Sequence, residues 1–226
     1  MSVTKEPVSS SNPFYGCVIF VIAILTFGGM VGWTLYSGYK QSKEIDAFTV
    51  TEAPPLAVTA LDDKQRAALQ TKLDSFALVA KNGKPVTLTL SLDELNQLVT
   101  LAGEKGATDY RGVLHFTKID TGAQRLVADI RWKLNNLPLS NAKERFLVGT
   151  ATFRPSVDKG TFDLYIENVL VPGKTVNPGF IGQVANMTWI NAATLKPEVT
   201  EVFKKIGAFD FSGQDDMFSV RANVGK

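Results

Sequence analysis

The sequence predicts an α+β fold, in which helices pack on one face of an antiparallel sheet, preceded by a single N-terminal transmembrane helix. Three observations support this prediction. Residues 14–39 include no charged residue, proline, asparagine or glutamine. A series of segments with alternating apolar and polar residues follows, joined by short turns, and segments with helical spacing lie on both sides of it. Strands joined by turns with helices at both ends are typical of the α+β class.

The chain of 226 residues divides into four predicted parts. A polar tail and a long apolar segment come first, and a charged, proline-containing linker leads from them to one domain with enough residues for a core of its own. The predicted parts are a disordered tail (1–13), a transmembrane helix (14–39), a linker (40–58) and an α+β extracytoplasmic domain (59–226).

The apolar segment is long enough to cross a bilayer, which takes about 20 residues because every backbone polar group must be paired within the helix. Aromatic residues mark both of its edges, Phe14 and Tyr15 at one end and Trp33, Tyr36 and Tyr39 at the other. A cleaved signal peptide would have a shorter apolar core that ends at a small-x-small site. The segment is therefore predicted to be an uncleaved anchor in the cell membrane.

The orientation of this anchor rests on the short tail before it. Lys5 and the α-amino group on one side and Lys40 and Lys43 on the other leave the count of flanking positive charges balanced. A short N-terminal tail followed by a large domain is the usual arrangement of a signal anchor. We therefore expect the C-terminal domain on the extracytoplasmic, periplasmic side.

Gly28 and Gly32 form a Gly-x-x-x-Gly pair within the apolar segment. Small residues at this spacing let two helix backbones approach closely, which predicts a homodimer through the helix. The alternative is that glycine is simply common in membrane helices.

The composition excludes several functions. The chain has a net charge of +2. Residues 1–40 carry a net charge of +1, from Lys5, Lys40 and Glu6, so the rest of the chain also has a net charge of +1. A near-neutral domain has no electrostatic basis for binding nucleic acid. Cys17 is the only cysteine and His115 the only histidine, so disulfides and a zinc site are not expected. We predict no cofactor, no metal and no catalytic residue.

Two helices are predicted to begin the domain, each at a capping motif. Thr59–Asp62 resembles a capping box, and helical spacing of apolar residues continues to about Ala80. Val86–Leu90 then alternates like a strand. Ser91–Glu94 is a complete capping box, and Gly103 ends the helix that it starts, because glycine accepts the left-handed conformation.

Four strands are predicted next from alternating residues and intervening turns. In the second of them alternate residues are apolar, which is typical of an antiparallel strand with one solvent-exposed side. The four strands are Val113–Ile119, Arg125–Leu134, Arg145–Arg154 and Thr161–Val169.

A helical region and a hairpin are predicted to complete the chain. Asn177 is a typical cap and Pro178 a typical first-turn residue, so a helix is predicted to start here. It is predicted to continue to Leu195, to be interrupted at Pro197, and to resume over 199–207. Phe209–Phe211 and Met217–Arg221 are predicted to form the hairpin.

Candidates for chemistry are few. His115 belongs to no recognisable nucleophile motif and is expected to be structural. The adjacent carboxylates Asp62-Asp63 and Asp215-Asp216 are better explained by a helix first turn and an exposed turn. Arg125, Arg131 and Lys133 share one strand face, which is either a solvated surface or a contact for phospholipid headgroups.

Large aromatic side chains supply the remaining candidate site. One interpretation is a single aromatic-rich core. The other is that helices and sheet part to leave an apolar, lipid-sized groove. The residues predicted to line that groove are Trp132, Phe153, Phe162 and Phe203.

The segment Leu88-Thr-Leu-Ser-Leu-Asp-Glu-Leu-Asn96 resembles a strand-to-helix opening of anchored bacterial proteins of the YpmS-like kind. Leu137-Pro138 and Val171-Pro-Gly-Lys174 are similar to the hairpin-rich middle of that family. The resemblance implies an extracytoplasmic, lipid-binding-like fold with an apolar groove and no catalysis.

Three functions are expected from these observations. The first is a single-pass, non-enzymatic binding or scaffolding protein of the bacterial cell envelope, with the lipid bilayer and a lipid or a membrane protein as partners. The second is an anchored hydrolase that uses carboxylates. The third is an accessory subunit of a membrane complex.

Overall fold

A computed structural model describes residues 13–104, 109–134, 144–158, 161–185, 204–212 and 216–222. Within these ranges the chain forms four helices and seven antiparallel strands, so the α+β class is confirmed. In chain order they are α1 (Pro13–Phe48), α2 (Asp63–Lys81), β1 (Val86–Leu90), α3 (Leu92–Glu104), β2 (Leu114–Asp120), β3 (Arg125–Leu134), β4 (Arg145–Asp158), β5 (Thr161–Leu170), α4 (Pro178–Val184), β6 (Ile206–Ser212) and β7 (Met217–Ala222).

The strands form two sheets, and the prediction of a single sheet is wrong. One sheet has the order β2-β3-β4-β5, a simple meander, and the other has the order β1-β7-β6. In the second sheet Val86 of β1 pairs with Ala222 and Leu90 pairs with Phe218, both on β7. Short turns predict pairing between consecutive strands, but they carry no information on a partner more than a hundred residues away.

The two sheets share one hydrophobic core. The Phe162 ring of β5 lies 6.5 Å from the Phe209 ring of β6 and 6.2 Å from the Phe218 ring of β7, centroid to centroid. Within the larger sheet the Phe116 and Phe153 rings meet edge to face. These aromatic contacts hold the two sheets together across the core.

Three N-terminal caps were predicted, and the first of them lies a turn later than expected. The α2 capping box joins Asp62 and Gln65, with Gln65 N donating to Asp62 Oδ1 at 2.7 Å and Asp62 N to Gln65 Oε1 at 3.1 Å. The predicted start at Thr59 is therefore wrong. A capping box favours Glu or Gln as its last residue, and Gln65 provides this when Asp62 is the cap, whereas a box that starts at Thr59 would end in Asp62. The α3 box is confirmed, with Ser91 N and Glu94 N each donating to the other residue's side chain.

The last part of the fold differs most from the prediction. Asn177 caps α4 as expected, and its Oδ1 accepts from Gly179 N at 2.7 Å. The helix predicted over 199–207 is wrong at its end, because Ile206 begins β6 and pairs with Ala222. Residues 186–203 of that prediction lie outside the described residues. The C-terminal hairpin is confirmed as β6 and β7.

The first helix is longer than predicted. It was expected to end at Tyr39, but α1 continues to Phe48, so half of the predicted linker is helical. Residues 40–48 contain neither glycine nor proline to end the helix, and Ile45 and Phe48 contact the core.

Candidate functional site

The N-terminal part of α1 is almost entirely uncovered by the rest of the chain. Cys17–Phe48 is the one helix among the described residues that is long and apolar enough to cross a membrane, with a mean hydropathy of 2.2 over a stretch of 18 residues. No residue of that apolar stretch is buried inside the protein, and Leu25 is 69% exposed. A continuous apolar surface of this kind marks a contact with a membrane or another protein.

The C-terminal end of the same helix is buried in the domain. Phe48 is 1% exposed, and its ring lies 5.0 Å from the Phe180 ring of α4. Ile45, three residues earlier, packs against the core. One helix therefore joins an uncovered apolar segment to the core of the domain.

Polar contacts on α1 add to this packing. Arg145, the first residue of β4, is 5% exposed, and its guanidinium donates to Ser42 Oγ at 2.8 Å. Its Nε lies 3.1 Å from Asp46 Oδ1 but is not aligned for a hydrogen bond, so this contact is an ion pair only. Ser42 and Asp46 lie one turn apart and share a helix face. Beside them, Asn177 Nδ2 donates to Glu44 Oε2 at 2.7 Å.

After Phe48 an extended strap, residues 49–58, crosses the end of the larger sheet. Val50 and Phe146 of β4 exchange two backbone hydrogen bonds, at 3.0 and 2.8 Å. Arg131 of β3 donates from Nε to the Ala53 carbonyl at 2.9 Å, and its guanidinium lies 4.2 Å from the Phe146 ring centroid. The strap is thus bonded to the two central strands.

The strap then reaches the other edge of the sheet. Leu56 N donates to the Gly112 carbonyl just before β2 at 3.2 Å. Thr100 of α3 donates from Oγ1 to the Thr59 carbonyl at 2.9 Å. The predicted linker 40–58 is therefore a docked segment: a helix end followed by a strap. We call this segment, with the residues that it contacts, the junction.

Three of the four predicted groove residues lie in the described part of the chain. Phe153 and Phe162 are buried in the core, and Trp132 is half-buried against it. Phe203 lies outside the described residues. A cavity of about 460 Å³ among the described residues is lined by other side chains. The apolar groove stays a prediction.

The predicted helix-dimer face lies on the uncovered part of α1. Gly28 and Gly32 are one turn apart, and a Cβ added to either would meet no atom within 4 Å. The face is therefore open to a second helix, and the dimer stays a prediction.

The basic residues predicted on one face of β3 are each engaged within the chain. Arg125 pairs with Glu167 of β5, and Lys133 pairs with Glu144. Arg131 belongs to the junction. This pattern favours a structural role for that face over headgroup binding.

The titratable groups show carboxylates held in the ionised form. Wherever a carboxyl pKa clearly shifts among the described residues, it falls, and a neighbouring cation is the main cause in each case. The pairs are Asp109 beside Arg111, Asp120 beside Lys118, Glu144 beside Lys133 and Glu167 beside Arg125. A general acid needs the opposite shift. No group of three or more His, Cys, Asp or Glu within the described ranges is placed to hold a metal ion.

Two important polar residues escaped the sequence reasoning. Asn96 is 6% exposed, accepts from Phe116 N at 2.7 Å and donates to Phe116 O at 2.9 Å. Its position four residues after Leu92 and three before Val99, on the apolar face of α3, was the available signal. Arg145 had no such signal, because a charged residue at the start of a strand is usually solvated.

Comparison with family models, with curated proteins and with solved structures returned no match. The resemblance to YpmS-like proteins therefore stays a prediction. The arguments below rest on the geometry of the chain itself.

Proposed function

We propose that the chain is a single-pass, membrane-anchored, non-enzymatic protein of the bacterial cell envelope, whose α+β domain is a binding or scaffolding module held at a fixed position beside the bilayer. One observation carries the proposal: α1 is a single helix with an uncovered apolar part and a buried end. Its exposed apolar side chains would be costly in water, and a bilayer would cover them.

The junction determines how far the domain sits from the bilayer. Nine residues separate Tyr39 from Phe48, and at about 1.5 Å per helical residue they span about 14 Å. A flexible linker of the predicted length would let the domain range over about 25 Å. The docked helix and strap remove that freedom, which suits a scaffold that presents one face to the membrane and another to a partner.

A lipid or a membrane protein remains the proposed partner, and the periplasmic side the proposed location of the domain. The helix-dimer face of Gly28 and Gly32 gives the accessory-subunit alternative a contact surface within the bilayer. The lowered carboxyl pKa values lend the hydrolase alternative no support.

Membrane insertion is tested by fractionating cells that express the full chain and extracting the membranes with alkaline carbonate. We expect the wild-type chain in the carbonate-resistant pellet. Leu25→Arg places a charge in the middle of the apolar segment, at a cost of about 3 kcal/mol, and should shift the protein to the supernatant or to degradation. The matched control Leu78→Arg changes a leucine of α2 that is 63% exposed and should behave like wild type.

The side of the membrane is read from thiol labelling in whole cells. Cys17→Ser removes the only cysteine, and Leu78→Cys then adds one on the domain surface. Labelling by a membrane-impermeant maleimide in intact cells, once the outer permeability barrier is opened, supports the extracytoplasmic placement. Labelling only after lysis of the inner membrane overturns it, and extraction of the wild-type chain by carbonate overturns the anchor.

A further inference from the structure

A cleft of about 460 Å³ lies at the far end of the domain from the junction. It opens where the turn before β3, the last part of β4 and the start of β6 meet, and its lining includes Gln124, Arg125, Arg154, Ser156, Gly207 and Phe209. Arg154 follows Arg145 by nine residues along β4, and a strand rises about 3.3 Å per residue. The cleft is therefore about 30 Å from the point where β4 contacts α1.

Two arginine residues line this cleft, Arg125 and Arg154. Leu126 of β3 pairs with Phe153 of β4, and the two arginines are the residues next to this pair. Like charges opposite each other on a sheet are destabilising. Glu167 of β5, which pairs with Arg125, offsets one of the two positive charges. Among the described residues that line the cleft none is acidic, so one positive charge is left for a bound anion.

The two arginines are not equally engaged. Arg125 forms a two-point contact with Glu167, through Nε and through an Nη that donates to Oε1 at 2.9 Å. The Arg154 guanidinium lies 5.7 Å from the Tyr165 ring centroid, and within the described ranges it forms no salt bridge. The planar guanidinium of Arg154 carries N–H groups that can donate to a ligand. Arg125, Arg154 and Glu167 together carry a net charge of +1.

The turn that leads into the cleft holds a strained residue. Gln124 has φ of 56°, the left-handed region that glycine and asparagine normally occupy. Strain of this kind persists where the surroundings impose it and is concentrated at ligand sites. Gln124 lines the cleft directly before Arg125.

We propose that this cleft binds an oxyanion group, a phosphate or a carboxylate, of a soluble ligand. The planar fork of Arg154 donates to two oxygens of the group, as guanidinium groups do to both anions, and Arg125 adds the second positive charge. This site goes beyond the proposed anchoring function and does not depend on it, because the cleft lies at the other end of β4 from α1.

The test uses the full chain in uncharged lipid nanodiscs, labelled with ¹⁵N only in arginine. Inorganic phosphate and acetate are titrated separately at constant ionic strength, and the side-chain Nε–H signals are followed by NMR. We expect saturable shifts of Arg125 and Arg154 with a dissociation constant in the millimolar range. Saturation by phosphate alone assigns a phosphate-bearing ligand, and saturation by both probes assigns the wider oxyanion class.

Two variants make the result specific. Arg154→Gln should weaken binding about tenfold, because a charged hydrogen bond contributes about 1.5 kcal/mol or more. Lys64→Gln removes the same charge from an exposed position on α2 that does not line the cleft, and it should bind like wild type. Shifts that never saturate, that affect all arginines alike, or that persist unchanged in Arg154→Gln would overturn the proposal.

Discussion

Single buried polar residues hold the junction and the edge of the larger sheet in place. Arg145 links the first residue of β4 to Ser42 and Asp46 on one face of α1. Asn96 satisfies both backbone groups of Phe116, beside the irregularity where β2 shifts register against β3. Burial gives such contacts their weight, because an unpaired polar group in the core costs more than a paired one contributes.

Arg145→Ala is expected to lower the free energy of unfolding of the domain by about 2 kcal/mol, since it removes a charged hydrogen bond and the packing of a buried side chain. Urea unfolding of the full chain in detergent, followed by tryptophan fluorescence, measures the change. The control is Lys133→Ala, which breaks an exposed ion pair with Glu144 and should leave the free energy of unfolding close to that of the wild type. Equal losses in the two variants would contradict the assigned role of Arg145.

Asp109 should become protonated at a lower pH than an ordinary aspartate. Hydrogen bonds from the Arg111 side chain and backbone lower the pKa of Asp109 from 3.8 to about 2. Because the folded-state pKa is depressed, the linked stability is fully present above about pH 4 and is lost as the pH falls through about 2. The effect on stability is small, because solvent screens an exposed pair.

Carboxyl-carbon NMR titration measures this pKa directly. In Arg111→Gln the side-chain hydrogen bonds are gone, and the pKa of Asp109 should rise towards 3.8. An Asp109 pKa that is ordinary in the wild type, or one that Arg111→Gln leaves low, would contradict the assignment.

At the scale of elements, the sequence predicted well whatever depends on neighbours in the chain. The bounds of β1 and β3, the α3 capping box and the C-terminal hairpin follow from alternation, capping residues and turns. The pairing of β1 with β7 and the end of α1 at Phe48 depend on contacts between distant segments. No periodicity of 2 or 3.6 carries that information.

The same limit explains the candidate sites. The apolar helix was visible because a long uncharged segment is a local property. The junction and the cleft were not visible in the sequence, because their residues depend on partners that are distant in the chain. Arg145 contacts Ser42 of α1, and Arg131 contacts Ala53 of the strap. Arg154 lines the cleft together with Arg125.

Gly149 shows how closely two elements approach. An added Cβ at this residue of β4 would overlap the carbonyl oxygen of Leu170, the last residue of β5. Backbone cannot move aside as a flexible side chain can, so Gly149→Ala should destabilise the domain by about 1–3 kcal/mol. At Gly122 an added Cβ would meet its nearest atom at 3.7 Å, an ordinary contact, and Gly122→Ala should cost less than about 0.5 kcal/mol. Urea unfolding of both variants measures the two losses in the free energy of unfolding. Equal losses would contradict the close approach of the Leu170 backbone to Gly149.

At the scale of the whole molecule, the chain has two ends with different surroundings. The uncovered apolar part of α1 lies at one end, the cleft with its two arginines at the other, and β4 runs between them from Arg145 to Arg154. In the proposed scaffold the helix enters the core without a flexible joint, and the two ends are parts of one rigid body. This rigidity distinguishes a fixed scaffold from a domain on a tether.

The continuity of α1 into the domain is tested most directly by a distance between two spin labels on the full chain in nanodiscs. After Cys17→Ser, cysteines replace Tyr36 on α1 and Leu170 at the end of β5, both exposed positions. Pulsed electron paramagnetic resonance should give one narrow distance distribution, and a Gly-Ser insertion after Lys40 should broaden it. A broad distribution in the uninserted chain would show a domain that swings on a flexible linker, and the fixed scaffold would be wrong.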